Sequence, residues 1–175
     1  MMKLCMILVT CLSATLTNAA TVQECFAAIN SKVNGKGTAD FPITLAGYTG
    51  ITDPVLLKRL IVLYGIESRF DPEAKSPAGA RGLGQLMWPT AQEVAEELGI
   101  KITKPDLVNV KVNLKISSHL FRKHLTKYNG NVTLELVAYN AGPSRADALQ
   151  RLAVIPNETN AYVTRYTYLY EGYCK

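Results

Sequence analysis

The chain has 175 residues, 48% of them hydrophobic and 19% charged, with 12 Gly and 8 Pro, the balance of an ordinary globular protein and not of a disordered or fibrous one. A chain of this length buries roughly 70% of the surface its unfolded form exposes, so it builds a core without metal or a dense disulfide framework, and knottin-like scaffolds are excluded. Its net charge of +5 favours anionic polymers and surfaces as partners.

The first residues read differently from the rest. Lys3 precedes an apolar run from Leu4 to Leu16, closed by Thr17-Asn18-Ala19-Ala20. A basic start, a short apolar stretch and small residues at a cleavable junction predict a signal peptide over residues 1–19. The run is shorter than the ~20 residues that span a bilayer, and Thr10, Cys11, Ser13 and Thr15 dilute it as an anchor. Residues 20–175 are then the exported domain, with no transmembrane segment. Cleavage removes Cys5 and Cys11 and leaves Cys25 and Cys174. Two cysteines in an exported chain suggest one disulfide joining its ends; two separate buried thiols are the other reading. No Cys/His cluster occurs, and His119 and His124 lie near each other without further ligands, so neither a metal site nor a cofactor is expected.

Apolar residues then recur mostly at helical spacing, which predicts a mainly α domain. Val22, Cys25, Phe26 and Ile29 mark a first short helix, followed by the connection Asn34-Gly35-Lys36-Gly37 and a stretch to Gly50 without a clear pattern. Asp53 is suited to cap the next helix, with Pro54 in its first turn, running to about Arg69. Thr90-Ala91-Gln92-Glu93 has capping-box spacing, and Ala91, Val94, Ala95 and Leu98 form a core stripe stopped at Gly99. A long helix is expected from about Val110 to Tyr128, with Leu114, Phe121, Leu125 and Tyr128 on one side. Its Lys111, Lys115, Arg122, Lys123 and Lys127 read as a solvated face; no aromatic-basic motif accompanies them, so nucleic acid is not an expected partner. Leu134, Val137, Ala138 and Ala141 form a stripe ended by Gly142-Pro143, a short helix follows around Arg145–Leu152, and a tyrosine-rich one runs from about Glu158 to Tyr173.

Glu67 is the most informative carboxylate. Leu56, Leu60 and Leu63 precede it on the same helix face, and apolar neighbours together with the negative helix end raise a carboxyl's pKa. A side chain that holds a proton near neutrality is what protonation of a glycosidic oxygen requires; a buried glutamate paired with Arg59 or Arg81 is the competing explanation. Asp71 is the obvious second carboxylate, but Pro72 disfavours helix at Asp71, so the two side chains are not expected to share a face. The small-residue segment Ser76 to Gln85 suits a loop that lets backbone approach an extended ligand, and Tyr139-Asn140 offer a hydroxyl and an amide at a helix end.

Together these pieces resemble a known family. Glu67-Ser68 with Arg69-Phe70-Asp71-Pro72, then Ala78-Gly79-Ala80-Arg81-Gly82-Leu83-Gly84-Gln85-Leu86-Met87, then Ala138-Tyr139-Asn140-Ala141-Gly142-Pro143, then Pro156-Asn157-Glu158-Thr159 with Tyr162-Val163, are similar to the motifs of the soluble lytic transglycosylases, relatives of goose-type lysozyme. The resemblance implies a lysozyme-like single domain that cleaves the β-1,4 bond between N-acetylmuramic acid and N-acetylglucosamine in peptidoglycan with formation of a 1,6-anhydro product. It casts Glu67 as the catalytic acid and base, and Ser76, Gln85, Met87, Tyr139, Asn140, Glu158 and Tyr162 as substrate-binding. It also implies a periplasmic or cell-wall location, and partners in a secretion, conjugation or pilus machine. A hydrolytic muramidase and a non-catalytic wall-binding protein are the rival readings. The chain departs from the family pattern in four places. Trp88 precedes Pro89 where proline usually follows the methionine directly, Gly84 replaces the commoner methionine, Ser117 stands where relatives often have glycine, and Leu120 where they often have tyrosine.

Overall fold

The computed structural model describes residues 20–152 and 157–175, and the side chains of 152–159 are outside the description. The leader read over residues 1–19 therefore lies outside the described residues. Eight α-helices make up the described fold, without a strand: α1 (Val22–Lys32), α2 (Phe41–Thr49), α3 (Pro54–Ser68), α4 (Trp88–Glu97), α5 (Val110–Lys127), α6 (Val132–Ala141), α7 (Pro143–Leu152) and α8 (Asn157–Tyr173), with a 3₁₀ turn over Lys104–Val108 before α5. The expected mainly α class is what the chain adopts. No helix of the described residues is long and apolar enough to cross a membrane.

Most helix starts follow the local chemistry. Asp53 caps α3 by accepting from the Val55 N–H, with Pro54 at the first position, where a missing donor costs little. The Thr90 capping box does not form: α4 begins two residues earlier at Trp88, with Met87 as its N-cap and Pro89 in its first turn. Proline fixes a helical φ and pulls the helix start upstream of Thr90. α2 has no counterpart in the sequence reading, because its stretch Phe41–Thr49 is apolar on all sides and gives no periodic stripe.

α3 is the central helix. One apolar face was expected, yet nearly every residue from Leu57 to Gly65 is buried, because α1, α2 and α8 pack around it. A helix apolar all round is one enclosed on every side. Gly65 lets α1 come close: a Cβ there would lie 2.6 Å from Ile29 Cγ2. α8 is bound to α1 by the Cys25–Cys174 disulfide, which closes a loop of 149 residues, a span for which chain entropy predicts about 5 kcal/mol of stabilisation.

The buried side chains form two clusters that share α5. Leu114, Phe121 and Tyr128 face the larger core with α1, α3, α6 and α8, as the stripe predicts, while its fourth member, Leu125, is only half-buried; Ile116 and Leu120 face a smaller core with Leu86, α4 and Leu107. Tyr139 packs against both clusters, so it marks the seam between them.

One core group conflicts with its surroundings. Glu135 on α6 is 0% exposed, and neither carboxyl oxygen has a hydrogen-bond partner. Burial pushes its pKa up to about 9, with Arg59 opposing. The folded state thus prefers the proton, so stability attached to this group declines as pH rises from the ordinary carboxyl range toward 9. Glu135→Met is expected to raise stability at pH 7 by about 2 kcal/mol, with the gain shrinking near pH 4.5. Thermal melts at the two pH values test this, and a lower midpoint for the variant at pH 7 would refute it.

Candidate active site

Glu67 sits in the last turn of α3, and the chain turns sharply just beyond it. Arg69 and Phe70 both adopt left-handed backbone, with φ of 55° and 60°, a conformation that costs an L residue roughly 1–2 kcal/mol. Phe70 offsets that cost by burying its ring edge-on to Phe26, at 5.2 Å between centroids, and to Phe41, at 5.0 Å. The aromatic cluster therefore holds the turn that aims the helix end.

The Glu67 carboxyl is half-buried and accepts a 2.6 Å hydrogen bond from the Tyr162 hydroxyl on α8. Burial pushes its pKa up to about 7, and the tyrosine bond opposes the rise by favouring the charged form. The expected alternative of a pair with Arg59 or Arg81 is not what forms; among the described residues Glu67 has no ion pair. Asp71 turns away, as Pro72 suggested. It pairs with Lys36 Nζ at 2.5 Å and accepts from the Glu73 N–H, and Lys36 above all holds its carboxyl below the usual range.

Tyr139, on α6, donates to the Gly84 carbonyl at 2.8 Å, and its phenol feels the Glu67 charge. The Gly84 backbone N–H in turn donates to Asn113 Oδ1 at 2.8 Å, while the Asn113 amide donates to the Leu107 and Arg81 carbonyls. One buried asparagine on α5 thus holds two backbone groups of the loop and ties them to the 3₁₀ turn at Leu107. There is no space for a side chain at Gly84: a Cβ would lie 2.5 Å from Ser117 Cβ and 2.8 Å from the Tyr139 hydroxyl. Two departures from the family pattern, glycine at 84 and serine at 117, therefore meet in space and fit each other. Ser117 also donates to the Asn113 carbonyl at 2.7 Å and takes a hydrogen bond from the Tyr64 hydroxyl at 2.9 Å.

The other expected site residues divide into two groups. Ser76 and Gln85 stitch the loop: Ser76 Oγ accepts from the Ala80 N–H at 3.0 Å, and Gln85 Nε2 donates to the Gly82 carbonyl at 2.9 Å and the Ala74 carbonyl at 3.3 Å. Met87, Tyr139 and Asn140 line one trough of about 750 Å³, with Met87 42% exposed at its edge. Trp88 packs against the smaller core. The Glu158 side chain is outside the described residues.

Sequence reasoning missed Tyr64, Asn113, Ser117 and Glu135 as neighbours of this site. Glu135 acts electrostatically on Tyr139 and Tyr162. It is a second carboxyl in the vicinity, but it is sealed from solvent and neutral at pH 7, so it offers no base to a water molecule. Among the described residues no group of His, Cys, Asp and Glu is arranged to hold a metal ion.

Residues 48–158 match the family profile described as the transglycosylase SLT domain. The chain is 32% identical over 111 residues to the soluble lytic murein transglycosylase of Escherichia coli strain K12, in an alignment taking in 55% of this chain and 17% of that protein. With the Salmonella typhimurium protein of the same description it shares 31% over 115 residues, with the same coverage. It thus spans about a sixth of the length of these relatives. Its fold is similar to that of the 70 kDa soluble lytic transglycosylase from Escherichia coli, with a TM-score of 0.66 and 21% identity, over 88% of this chain and 30% of that one. An inactive variant of lytic transglycosylase Slt from Pseudomonas aeruginosa superposes with a TM-score of 0.60 and 24% identity, over 75% and 23% of the two chains. The lysozyme-like α fold expected from the motifs is accordingly the one adopted.

The fit between Gly84 and Ser117 has a measurable consequence. Gly84→Ala alone is expected to destabilise the fold by about 1–3 kcal/mol through overpacking, and Ser117→Gly in that background is expected to restore part of the loss, giving a coupling energy of about 1 kcal/mol in a double-mutant cycle. Strictly additive effects in urea unfolding would show that the two positions do not depend on each other.

Proposed function

The chain belongs to the transglycosylase SLT domain family, and we propose that it is a peptidoglycan lytic transglycosylase in which Glu67 serves as both acid and base. The observation that carries this reading is the Glu67 carboxyl itself, half-buried, held by Tyr162 at 2.6 Å and brought to a pKa of about 7. It retains a proton at neutral pH and is still able to give it up.

The reaction follows from one carboxyl, with no second one placed to help among the described side chains. Glu67 donates its proton to the glycosidic oxygen between N-acetylmuramic acid and N-acetylglucosamine, and the C1–O bond breaks. The N-acetyl group of the muramic acid supports the electron-deficient C1. The Glu67 carboxylate, now stabilised by the Tyr162 hydroxyl, takes the proton of the C6 hydroxyl, whose oxygen closes on C1. The 1,6-anhydro ring forms, the proton is back on Glu67, and no water is consumed. Retaining hydrolysis needs a second carboxylate about 5 Å from the first. Asp71 is bound to Lys36 and Glu135 is buried and neutral, which disfavours the hydrolytic muramidase reading. Ser76 and Gln85 support the site by shaping the loop, and Met87, Tyr139 and Asn140 face the glycan. Glu158 belongs to the same closing motif as Tyr162. The leader pattern over residues 1–19 supports export to the periplasm or cell wall. There the enzyme opens the wall locally for a secretion, conjugation or pilus machine.

Glu67→Gln is expected to reduce release of 1,6-anhydromuropeptides from sacculi by at least about 10³-fold, read by mass spectrometry; fragments ending in reducing muramic acid from the wild type would support hydrolysis instead. Because Glu67 must start protonated, kcat is expected to fall as pH rises through about 7. Tyr162→Phe removes the hydrogen bond that lowers this pKa, so the falling limb should move to higher pH while the maximum rate drops. A limb that stays in place, or moves to lower pH, would separate Tyr162 from the titrating group.

A further inference from the structure

The outer side of α2 conflicts with its composition. No residue from Phe41 to Thr49 is charged, and a helix apolar all round is normally one enclosed on every side. Phe41, Pro42 and Leu45 are buried, yet Ile43 is 74% exposed and Tyr48 40%. A Cβ at Gly47, one turn beyond Ile43, would meet nothing within 4 Å. This short helix therefore carries an aliphatic and an aromatic side chain outward, with no charged group among them.

It borders a basic stripe. Lys111, Lys115, Ser118 and Arg122 recur at steps of four, three and four, which places them on one side of α5. Asn113 and Ser117, both buried, and Leu120 and His124, which line the trough beside Tyr139, recur at the same steps two positions on, hence on the opposite side. Lys111 Nζ lies 6.0 Å from the centre of the Tyr48 ring, so the stripe and α2 form one surface. Where α2 ends, Tyr48, Lys115, His119 and Arg122 line a pocket of about 330 Å³ together with Leu98 and Ile100. No Asp or Glu lines it among the described residues. Among those residues Lys111, Lys115 and Arg122 form no ion pair, and Glu97, which bonds His119 at 3.2 Å, is also held by Lys123.

Cations without counter-ions beside an uncharged, outward-facing helix match one kind of occupant. Phospholipid headgroups supply the negative charge, and the interfacial layer of a bilayer accepts an isoleucine and a tyrosine ring. A soluble anion would satisfy the cations alone and leave Ile43 in water. We infer that the face formed by α2 and α5 docks the protein on an anionic phospholipid surface, with a headgroup phosphate at Lys115 and Arg122 and with Ile43 and Tyr48 in the interfacial layer. The net charge of +5 adds attraction at longer range. Because the trough beside Tyr139 lies across α5 from this face, a docked molecule turns that trough away from the membrane. The inference goes beyond the Glu67 reading and stands without it, since docking needs no glycan.

Co-sedimentation of the exported protein with vesicles tests this. Binding is expected to vesicles of phosphatidylcholine with about 30% phosphatidylglycerol and not to phosphatidylcholine alone, and it is expected to weaken at high salt. Lys115→Glu/Arg122→Glu is expected to weaken it at least about 30-fold, the effect of two basic residues near an anionic surface. Arg145→Glu/Arg165→Glu, the same charge reversal on α7 and α8, should change it far less. Ile43→Trp, at a site with little packing to lose, should bind several-fold tighter, a gain that misfolding does not produce. Failure to bind the anionic vesicles would overturn the inference. Equal weakening by the two charge reversals would do so too, by reducing the effect to overall charge. No gain from Ile43→Trp would remove the interfacial contact, and release by millimolar glycerol 3-phosphate would show a site for soluble anions instead; either result overturns membrane docking. Loss of anhydro-product formation in a protein that still binds vesicles would overturn only the catalytic reading.

Discussion

The position of Glu67 depends on a balance between dryness and access. A carboxyl sealed completely, as Glu135 is, stays protonated far above neutrality and reaches no ligand; one left in water, like Asp71, is ionised and paired to a lysine. Glu67 lies between these two extremes: burial raises its proton affinity, and a single hydrogen bond from Tyr162 holds back part of that rise. That bond spans 95 residues of sequence, so it exists only if α3 and α8 hold a fixed relation. The Cys25–Cys174 disulfide ties the far end of α8 to α1, and α1 packs on α3 where Gly65 leaves room. The Tyr166 hydroxyl adds a bond to the Arg59 carbonyl at 2.9 Å. Covalent closure of the chain ends and the tuning of the acid are therefore parts of one arrangement.

On the other side of the seam, the loop from Ser76 to Met87 is shaped by side chains that turn inward. Ser76, Gln85 and Asn113 spend their polar groups on backbone carbonyls and N–H groups of the loop and of its neighbours Ala74 and Leu107, which replaces the regular hydrogen bonding that a small-residue loop lacks. Tyr139 reaches across to the same loop from α6. The exchange of a large residue for glycine at 84 and of glycine for serine at 117 keeps this junction filled, as close packing demands. What looks like two separate deviations along the chain is one contact in space.

Helix boundaries at α3, α5, α6 and α8 could be read from caps, glycine stops and apolar stripes, because these signals act within a few residues of where they are written. The Asp53 cap and the effect of Pro72 on Asp71 are of this kind. α2 escaped because a helix apolar on every side has no stripe to detect, and the start of α4 was misplaced because Pro89 outweighed a capping-box spacing at Thr90. Glu135 escaped for a related reason: it interrupts an apolar helix by one residue, and nothing local says whether such a glutamate points to water or into the core.

From the sequence alone come a mainly helical chain, a glutamate at an apolar helix end, and a set of motifs that identify the family, since periodicity and capping depend on neighbouring residues. Only the folded chain decides that the partner of Glu67 is Tyr162 and not an arginine, that Gly84 leans on Ser117, and that a histidine on α5 lines a trough beside Tyr139. Each of these is a meeting of side chains dozens of residues apart, and proton affinity, packing and access all depend on which distant groups the tertiary structure brings within a few ångströms.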